Sequence, residues 1–534
     1  MYKSKKTYSL ALILALFVVL APCWAGGSSG SSSSGSSDTS SNWKYVKGGP
    51  IAENPVTISF LTHTGHASTS PMPNNDLPVY ALIMKRLGIT VDWQLLERMT
   101  YNETVNIRLM SRDLPDMVVL LDMNIITQMV EDGVFISYDD LNYKDNCPYA
   151  QELFSDPDYT PLEKVYRSLY PDKKMYGFGN TVMPRFLYNN ILVNNVWLEN
   201  LGMAEPKTID EFYNMLVAFR DKDPNKNGQM DEIPLAYTGG NVLDIALGGA
   251  FNLNFEYGWE RNSSGNIVSI YTTNKYRDYL EFRKRLYDDN LIDKENRNMT
   301  ANYELVAADR LGAIGYFGTF QRIISEYSPY RGPENSRPIF REIIPLANIY
   351  TGNPEIFSRL GTGTGEPMLI LTGAKYPEVC LRLSDWLWAS SEYDMLRNFG
   401  IEGLSYRMEN DIPIPMVPED YTGSAQFIAF IGGTQPPWTN RQSEYAIGMN
   451  NPQWVRDRAQ EIKPYYIDGL MPAVLTIQDQ NEINRYSIDV NTYRSEMAEN
   501  FITGRRPLNQ FDQYVNEINA IGMERLRQIR AKYY

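Results

Sequence analysis

The sequence predicts an α/β protein with two α/β lobes, from its size and from one alternation of patterns. The chain has 534 residues, of which 43% are hydrophobic, so it can bury more than one core. Between residues 56 and 121, short β-branched and aromatic runs alternate with segments whose apolar residues recur at helical spacing. Strands and helices that alternate at these lengths form βαβ units with parallel strands.

The alternation places three strands and two helices in the first lobe. We predict strands at 56–61, 89–96 and 117–121, and helices at about 79–87 and 101–112. Ligands of parallel sheets bind outside the carboxyl ends of the strands. The loops after the first and third strands are therefore candidate ligand contacts, and we nominate His63 and Asp122 in them.

The two histidines of the chain, His63 and His66, both lie in the loop after the first strand. Their spacing would suit a transition metal, but a zinc site needs three or four protein ligands and no third stands nearby in the sequence. We therefore interpret them as polar loop residues that contact a ligand, in preference to a metal site.

Residues 223–232 have the spacing of a calcium-binding loop. An EF-hand loop takes ligands at positions one, three, five, seven and nine, with a glycine at six for the sharp turn. Gly228 is the sixth residue here, and Pro234 stands at position twelve, where the usual ligand is a glutamate. The predicted ligands are Asp223, Asn225, Asn227, Gln229, Asp231 and, closing the shell, Glu232. Carboxylate and amide oxygens suit Ca²⁺ and not zinc.

The flanks of the loop predict a helix before it and a strand after it. Thr208 and Glu211 have the spacing of a capping box, and the apolar residues at 212, 215, 216 and 219 share one face of the following helix. Residues 233–237 have the pattern of a short strand. Because all the ligands come from one loop, we predict a structural calcium ion; the alternative is a polar turn without an ion.

The N-terminal segment predicts export. Lysines precede an apolar run at 10–21, which has the length of a signal-peptide core and is too short to span a membrane. Two processing sites compete. The lipobox-like sequence LAPC ends at Cys23, which would be lipidated with palmitate, whereas cleavage after Ala25 would free the protein.

A Gly/Ser tract at 26–41 predicts a flexible tether, which favours the lipid anchor although Pro22 is atypical of a lipobox. We therefore expect a signal peptide at 1–23, a tether at 24–50 and an extracellular body anchored to the outer face of the cell membrane.

Net charge and cysteine content limit the possible binding partners and disulfide bonds of the protein. The net charge of -14 argues against nucleic acid, which needs a basic footprint. Cys147 and Cys380 would either form a disulfide or remain two buried thiols. No apolar run after the targeting segment reaches membrane-spanning length, and we expect a monomer.

Several segments, in order along the chain, resemble a known family. The runs at 173–178 (KKMYGF), 186–189 (FLYN), 193–202 (VNNVWLENLG) and 206–212 (PKTIDEF) resemble the crossover between lobes in family 1 of the extracellular solute-binding proteins of ABC importers. Further segments that resemble the family are those at 114–119, 313–317 and 399–406. The most similar subgroup is that of the LplA-like lipoproteins and the alginate-oligosaccharide-binding proteins.

The resemblance implies a periplasmic-binding-protein fold of type II, with two α/β lobes joined by a multi-strand hinge and the ligand cleft between them. It implies crossings near 174–178, 363–367 and 398–406. The first lobe would comprise 51–178 and 366–400, and the second 179–365 and 401–534. Alginate-binding members carry a similar calcium loop, so the resemblance implies metal roles for the six predicted ligands.

The family implies a non-enzymatic receptor that captures an oligosaccharide and delivers it to the transmembrane permease of an ABC importer. Carbohydrate sites need flat aromatic faces for sugar rings and planar polar side chains for hydroxyls. Strand alternation lets only one of Tyr316 and Phe317 face the cleft. The full set of candidate contacts in this part of the argument is Trp438, Phe317, Tyr316, Trp259, Arg185, Glu402 and Tyr406.

Two alternatives remain open. The same fold would serve a peptide-binding or sensor-associated protein, for which the cleft would carry a charge pair spaced for peptide termini. A secreted carbohydrate-active enzyme would need two carboxylates at a fixed separation across a sugar, which the sequence does not reveal. We see no Ser/His/Asp arrangement and no motif for a metal-activated water.

Overall fold

The structure is a computed structural model that describes the chain from Trp43 to Tyr534 with gaps. The gaps are residues 64–73, 99, 112–113, 121–122, 157–159, 171, 180, 183–189, 238–241, 296–298, 317–323, 326, 331–337, 358–365, 410–411, 419, 422–423, 434–440, 443–452, 468 and 471–474. Every element named below lies in one compact unit, Tyr45–Tyr534.

The described strands are short and are spread along the whole of the second unit. They are β1 (Thr57–His63), β2 (Thr90–Leu96), β3 (Met117–Val119), β4 (Phe135–Ile136), β5 (Thr181–Val182), β6 (Asn190–Asn194), β7 (Ile233–Tyr237), β8 (Trp259–Arg261), β9 (Ile267–Ser269), β10 (Leu311–Tyr316), β11 (Phe340–Glu342), β12 (Ile356–Phe357), β13 (Met368–Leu371), β14 (Tyr406–Glu409), β15 (Ile412–Pro415), β16 (Arg441–Gln442) and β17 (Tyr466–Ile467).

Helices connect most of these strands and make up the C-terminal end. The α-helices are α1 (Pro78–Leu87), α2 (Tyr101–Ser111), α3 (Met123–Glu131), α4 (Tyr143–Asn146), α5 (Pro148–Ser155), α6 (Thr160–Ser168), α7 (Asn195–Leu201), α8 (Ile209–Asp221), α9 (Val242–Gly248), α10 (Asn274–Asp288), α11 (Met299–Ala307), α12 (Pro377–Ala389), α13 (Ser391–Phe399), α14 (Ser424–Phe430), α15 (Gln453–Ile462), α16 (Ile477–Ile502), α17 (Phe511–Ile518) and α18 (Glu524–Ala531).

The first sheet has five strands in the order β2-β1-β3-β13-β4. β1 runs parallel to both β2 and β3. β13 comes from much later in the chain and is antiparallel to its neighbours β3 and β4. A distant antiparallel strand between the third and fourth strands is the arrangement expected of a type II lobe.

Alternate residues of the first sheet face two different cores. Phe60 and Met368 point to one core with α1, α5 and α12, whereas the next residues in each strand, Leu61 and Leu369, point to another with α2 and α3. Because the sheet is covered on both faces, its inner strands β3 and β13 are continuously apolar, whereas the edge strand β2 carries Asp92 and Gln94.

The second sheet has four strands in the order β11-β6-β10-β7, with β10 parallel to β7 and antiparallel to β6. It is also covered on both faces, since Ile191 and Leu192 of β6 lie in different cores. The larger core includes Val490, Phe501 and Tyr514, so the C-terminal helices α16 and α17 pack against this sheet.

The segment 401–433 packs with the first sheet, which differs from its predicted place in the second lobe. Phe427 and Ile431 are buried in the core of the first sheet, and Ile401 packs against it. β16, which follows this segment, pairs with β5 at the start of the predicted second lobe. The described residues of this segment therefore pack with the first sheet and not in the second lobe, where the sequence places them.

Two further features bear on the predictions from sequence. Cys147 and Cys380 are both buried and are free thiols, so the disulfide alternative is not realised. Within the described part of the chain, no helix combines the length and the apolar character that a membrane crossing requires.

Candidate functional site

The carboxyl ends of the strands in the first sheet bring three polar side chains together. β1 ends at His63, and Arg98 follows the end of β2. Glu366 shortly precedes β13, which begins opposite Val119 at the end of β3. The cluster therefore lies at the edge where ligands of such sheets bind.

The three side chains contact one another directly. Arg98 Nη1 donates to Glu366 Oε1 at 2.9 Å and lies 3.1 Å from His63 Nε2. His63 Nε2 is 3.6 Å from Glu366 Oε2. His63 is wholly buried and packs edge-on against Tyr101, whose hydroxyl donates to the carbonyl oxygen of Val119 at 2.6 Å. These contacts fix the cluster to the ends of β1 and β3.

Glu366 is held as a carboxylate. Burial raises the pKa of Glu366, but hydrogen bonds and charge from His63 and Arg98 outweigh that effect and lower the pKa below its usual value. The backbone of Glu366 is left-handed, with φ of 55°, a conformation that few residues other than glycine adopt. Such positions are often found at functional sites.

The second sheet also carries buried polar residues at one edge. β7 and β10 end there at Tyr237 and Tyr316, β11 ends at Glu342, and β6 begins there at Asn190. Asn190 Nδ2 donates to the carbonyl oxygen of Ile343 at 2.9 Å. Burial raises the pKa of Glu342 to about 7, against a hydrogen bond from Asn190 and the charge of Arg458.

The predicted aromatic contacts that the structure describes are buried. Tyr316 is the last residue of β10 and lies in one core of the second sheet. Trp259 lies in the other core, and the guanidinium of Arg530 is 5.0 Å from the centroid of its ring. Tyr406 packs against Phe399, with ring centroids 5.9 Å apart. Because the Trp259 ring packs in the core and against Arg530, the structure does not favour the predicted ligand contact at Trp259.

Of the remaining predicted contacts, one is exposed and the others lie outside the described residues. Glu402 is exposed and forms a β-bridge with Tyr406. The other predicted positions lie outside the described residues, namely His66, Asp122, Arg185, Phe317 and Trp438.

Arg98 and Glu366 are the functional candidates that the sequence analysis missed. Arg98 could have been found, because it lies in the loop after the second strand, at the same sheet edge as the loops that were considered. Glu366 could not have been found from the sequence, because only the pairing of β13 with β3 brings it to this edge of the sheet.

Side-chain oxygen atoms of the 223–232 loop accept hydrogen bonds from backbone N–H groups of the same loop. The carboxylate of Asp223 accepts from the backbone N–H groups of Asn227 at 3.1 Å and Gly228 at 3.0 Å. Asn225 Oδ1 accepts from Asn227 N at 3.0 Å, and Asn227 Oδ1 accepts from Gln229 N at 2.6 Å. Gly228 has φ of 79°, which supplies the sharp turn that glycine permits.

Glu232 carries the clearest sign that a cation belongs here. Both of its carboxylate oxygens are shielded from solvent, and neither has a hydrogen-bond partner among the described residues. Burial raises the pKa of Glu232, and the charges of Asp223 and Asp231 raise it further. A buried carboxylate beside two others is unfavourable unless a positive charge compensates it.

The donor set fits calcium better than a transition metal. In this structure Asp231 forms an ion pair with Arg310, whose Nε lies 2.8 Å from Asp231 Oδ2. Among the residues that the structure describes, no group of three or more His, Cys, Asp or Glu side chains is placed to hold a metal ion. The loop instead offers amide and backbone oxygens beside its carboxylates, which is the mixture that calcium takes.

Comparison with known proteins identifies relatives along the whole chain, although no family model matches it. FusA, the fructooligosaccharide ABC transporter substrate-binding protein of Streptococcus pneumoniae serotype 4, is 24% identical over 99% of this chain and 98% of its own length. The lipoprotein LipO of Bacillus subtilis is 28% identical over 42% of this chain and 43% of its own length.

Solved structures align over most of the chain. FusA with kestose and a FusA EF-hand mutant with fructo-nystose each have a TM-score of 0.67 at 20% identity, over 89% of this chain and 98% of theirs. The alginate-binding protein AlgQ2, solved without calcium ion, has a TM-score of 0.63 at 18% identity, over 91% of this chain and 99% of its own.

The class follows from the two covered sheets and from these alignments: the chain has the two-lobed α/β fold of solute-binding proteins, as predicted. Its predicted resemblance to the substrate-binding proteins of ABC transporters is also confirmed.

Proposed function

We propose that this protein is the extracellular substrate-binding component of an ABC importer. It captures an oligosaccharide between its two lobes and delivers it to a membrane permease. The observation that carries this proposal is that each of the two large sheets has polar side chains at one edge. They are His63 and Glu366 in the first sheet, and Asn190 and Glu342 in the second. The names of FusA and of its complex with kestose support an oligosaccharide as the ligand.

In this proposal the lobes close on the ligand by a hinge motion. The first lobe comprises 51–178 and 366–433, and the second 179–365 and 441–534. Glu366 then lies in a crossing between the lobes while its carboxylate is bonded to Arg98 of the first lobe.

Neither Glu366 nor Glu342 has the properties of the general acid that the enzyme alternative would need. Hydrolysis of a glycosidic bond needs one protonated carboxyl group as general acid, with a raised pKa, beside a carboxylate. The lowered pKa of Glu366 makes it unsuited to that role, and Glu342, with its raised pKa, is fully buried.

A binding screen tests the receptor function. The mature protein is screened by thermal shift against neutral oligosaccharides, uronate oligosaccharides and peptides, and hits are confirmed by calorimetry with product analysis. A specific ligand raises the melting temperature by mass action. We expect binding of one oligosaccharide class without any change to the sugar. Binding of peptides alone, or consumption of the sugar, would replace this function by the peptide or the enzyme alternative.

We also propose that the 223–232 loop binds a structural Ca²⁺ through Asp223, Asn225, Asn227, Gln229, Asp231 and Glu232. The inward oxygens of the loop and the uncompensated Glu232 carboxylate support this. The FusA EF-hand mutant and the structure of AlgQ2 solved without calcium ion are consistent with it.

Finally, we propose that Cys23 is lipidated and anchors the protein to the outer face of the cell membrane. The Gly/Ser tether and the similarity to LipO support this. Substitution Cys23→Ala should release the protein from the membrane fraction into the medium. If the wild-type protein is itself found in the medium with an N-terminus at Gly26, cleavage after Ala25 is correct and the anchor is wrong.

A further inference from the structure

A polar cluster lies at the carboxyl end of β7 in the second sheet. Tyr237 is the last residue of β7, and Asp244 lies in the first turn of α9, the next helix along the chain. The guanidinium of Arg283, on α10, is 6.0 Å from the centroid of the Tyr237 ring and forms an ion pair with Asp244. Tyr279, one turn earlier on α10, donates to Asp244 Oδ1. The cluster therefore lies at the edge of the sheet where ligands bind.

The buried part of the cluster fixes the position of Asp244. Tyr279 and Arg283 are both buried, and Arg283 Nη1 donates to the Tyr279 hydroxyl at 2.7 Å as well as to Asp244 Oδ1. One carboxylate oxygen of Asp244 is thus bonded by two buried side chains. The positive charge of Arg283 compensates the negative charge of Asp244, so the pair can lie at the edge of the core.

The exposed part of the cluster retains capacity for further hydrogen bonds. The Asp244 side chain is 33% exposed, and its second oxygen, Oδ2, accepts no hydrogen bond from the residues that the structure describes. The Tyr237 side chain is partly exposed, and its hydroxyl has no hydrogen-bond partner in the same part of the chain. Arg283 Nε is shielded from solvent and also lacks a partner there. A carboxylate oxygen accepts, and a phenol both donates and accepts, so these groups suit the hydroxyls of a sugar.

The position of α16 places this edge of the second sheet beside the first lobe. α16 packs in the core of the second sheet and also contacts α3, which begins just past the carboxyl end of β3. Burial raises the pKa of Tyr237, the charge of Arg283 lowers it, and the charge of Glu499 on α16 raises it. Glu499 is therefore close enough for its charge to act on Tyr237. One helix thus joins the Tyr237 edge of the second sheet to the ligand edge of the first.

We propose that Asp244 and Tyr237 form a subsite that binds two neighbouring hydroxyl groups of a sugar, one donating to Asp244 Oδ2 and the other bonded to the Tyr237 hydroxyl. This inference rests on the proposed receptor function and adds ligand contacts from the second lobe. Tyr279 and Arg283 are positioning residues, because they are buried and bond to Asp244. Neutral sugars and uronates both carry neighbouring hydroxyls, so the subsite recognises the diol and not the charge of the sugar.

Calorimetry on the mature protein in the presence of calcium tests the subsite. The probes are kestose, maltotriose, mannotriose, trigalacturonate and any sugar that binds in the wider screen, and the probe that binds most tightly to the wild-type protein is used for the variants Tyr237→Phe and Asp244→Asn. The matched controls are Tyr213→Phe and Asp289→Asn, which alter a tyrosine–aspartate pair at the C-terminal end of α10, where the Tyr213 hydroxyl donates to Asp289 Oδ2 at 2.7 Å.

We expect Tyr237→Phe to weaken sugar binding about threefold to tenfold, the loss of one neutral hydrogen bond. Asp244→Asn should weaken it about tenfold or more, because a charged acceptor is lost. Both controls should bind within about twofold of wild type. Because the Tyr237 hydroxyl has no partner among the described residues, Tyr237→Phe should leave the melting temperature of the sugar-free protein unchanged, which separates a binding role from a structural one.

An affinity within about twofold of wild type in either folded variant would overturn the subsite while the receptor function stands. A lower melting temperature of sugar-free Tyr237→Phe would also overturn it, since the hydroxyl would then have a structural role. If Asp244→Asn does not fold, because it leaves the buried Arg283 uncompensated, Tyr237→Phe alone decides. If the wild-type protein binds no sugar in calorimetry or in the wider screen, the proposed function fails and the subsite fails with it.

Discussion

Asn225 Nδ2 donates a hydrogen bond of 2.8 Å to the backbone carbonyl oxygen of Asp309. The bond joins the proposed calcium loop to the segment that leads into β10, an inner strand of the second sheet. Arg310 Nε adds a bond of 3.0 Å to the carbonyl oxygen of Asp231, and Asp309 Oδ1 accepts from Trp197 Nε1 at 3.0 Å. The loop is thus fastened to the core of the second sheet, so an ion that orders the loop should stabilise the sheet.

Removal of calcium should therefore lower the melting temperature. If free calcium is about 100 times its dissociation constant, binding contributes about 2.7 kcal/mol to the free energy of unfolding. For a lobe of this size that corresponds to a fall of roughly 5 to 10 °C in EGTA. The measurement is a thermal melt with EGTA, and re-addition of calcium, but not of magnesium, should restore the melting temperature. Equal melting temperatures in calcium and EGTA would mean that the loop is only a polar turn.

Substitution Glu232→Gln should have opposite effects with and without calcium. In the metal-free protein it removes a shielded charge whose pKa is raised, so it should raise the melting temperature in EGTA. In calcium it removes a ligand and should weaken binding about tenfold or more. Titration with calcium, followed by thermal melting, measures both. Glu281→Gln, an exposed site on α10, is the control and should change neither value. A lower melting temperature for Glu232→Gln in EGTA would contradict this account.

Local structure near the loop could be predicted because short-range chemistry determines it. The strand predicted at 233–237 is β7 with the same bounds, and Thr208 caps α8 by accepting from Glu211 N. One detail differs: the Glu211 carboxylate accepts from Lys207 N, one residue before the position that a capping box uses. The spacing of polar residues defined the helix start but not which N–H the longer side chain would reach.

Tertiary placement was harder to predict because it depends on partners distant in the sequence. The sequence predicts His63 as a ligand contact, and only the folded structure shows that it is wholly buried and in contact with Arg98 and Glu366. Trp259 was chosen for its polar surroundings in sequence, yet the C-terminal helix brings Arg530 over its ring. The sequence assigns residues 401–433 to the second lobe for the same reason, yet Phe427 lies in the core of the first sheet.

Gly177 packs against the start of β13, and alanine there should be destabilising. A Cβ atom at Gly177 would lie 2.7 Å from the backbone carbonyl oxygen of Met368, which cannot move without disturbing the sheet. We expect Gly177→Ala to lower the free energy of unfolding by about 1 to 3 kcal/mol. Gly373→Ala is the matched control, because a Cβ there meets nothing within 4 Å. Urea or thermal unfolding compares the two, and equal stabilities would show that the backbone around Gly177 can shift to accommodate the methyl group.

The buried carboxyl of Glu342 should make the protein less stable as the pH rises through neutrality. Burial raises its pKa from the ordinary 4.5 to about 7 in the folded protein. A raised pKa means that the folded state holds the proton more tightly, so this contribution is complete below about pH 4.5 and is lost as the pH passes 7. Its size is on the order of 1 to 3 kcal/mol.

The variant Glu342→Gln isolates this contribution, since glutamine resembles the protonated form at every pH. Melting temperatures measured in EGTA between pH 5 and 9 should fall less steeply for the variant than for wild type, with the curves closest at pH 5. Glu232 also has a raised pKa and adds a decline of the same sign, but it is present in both proteins and cancels in the difference. Glu461→Gln, at an exposed partner of the same Arg458, should keep the wild-type slope. Parallel curves for Glu342→Gln and wild type would mean that Arg458 holds Glu342 ionised throughout this range, and that the charge at this edge of the second sheet is permanent.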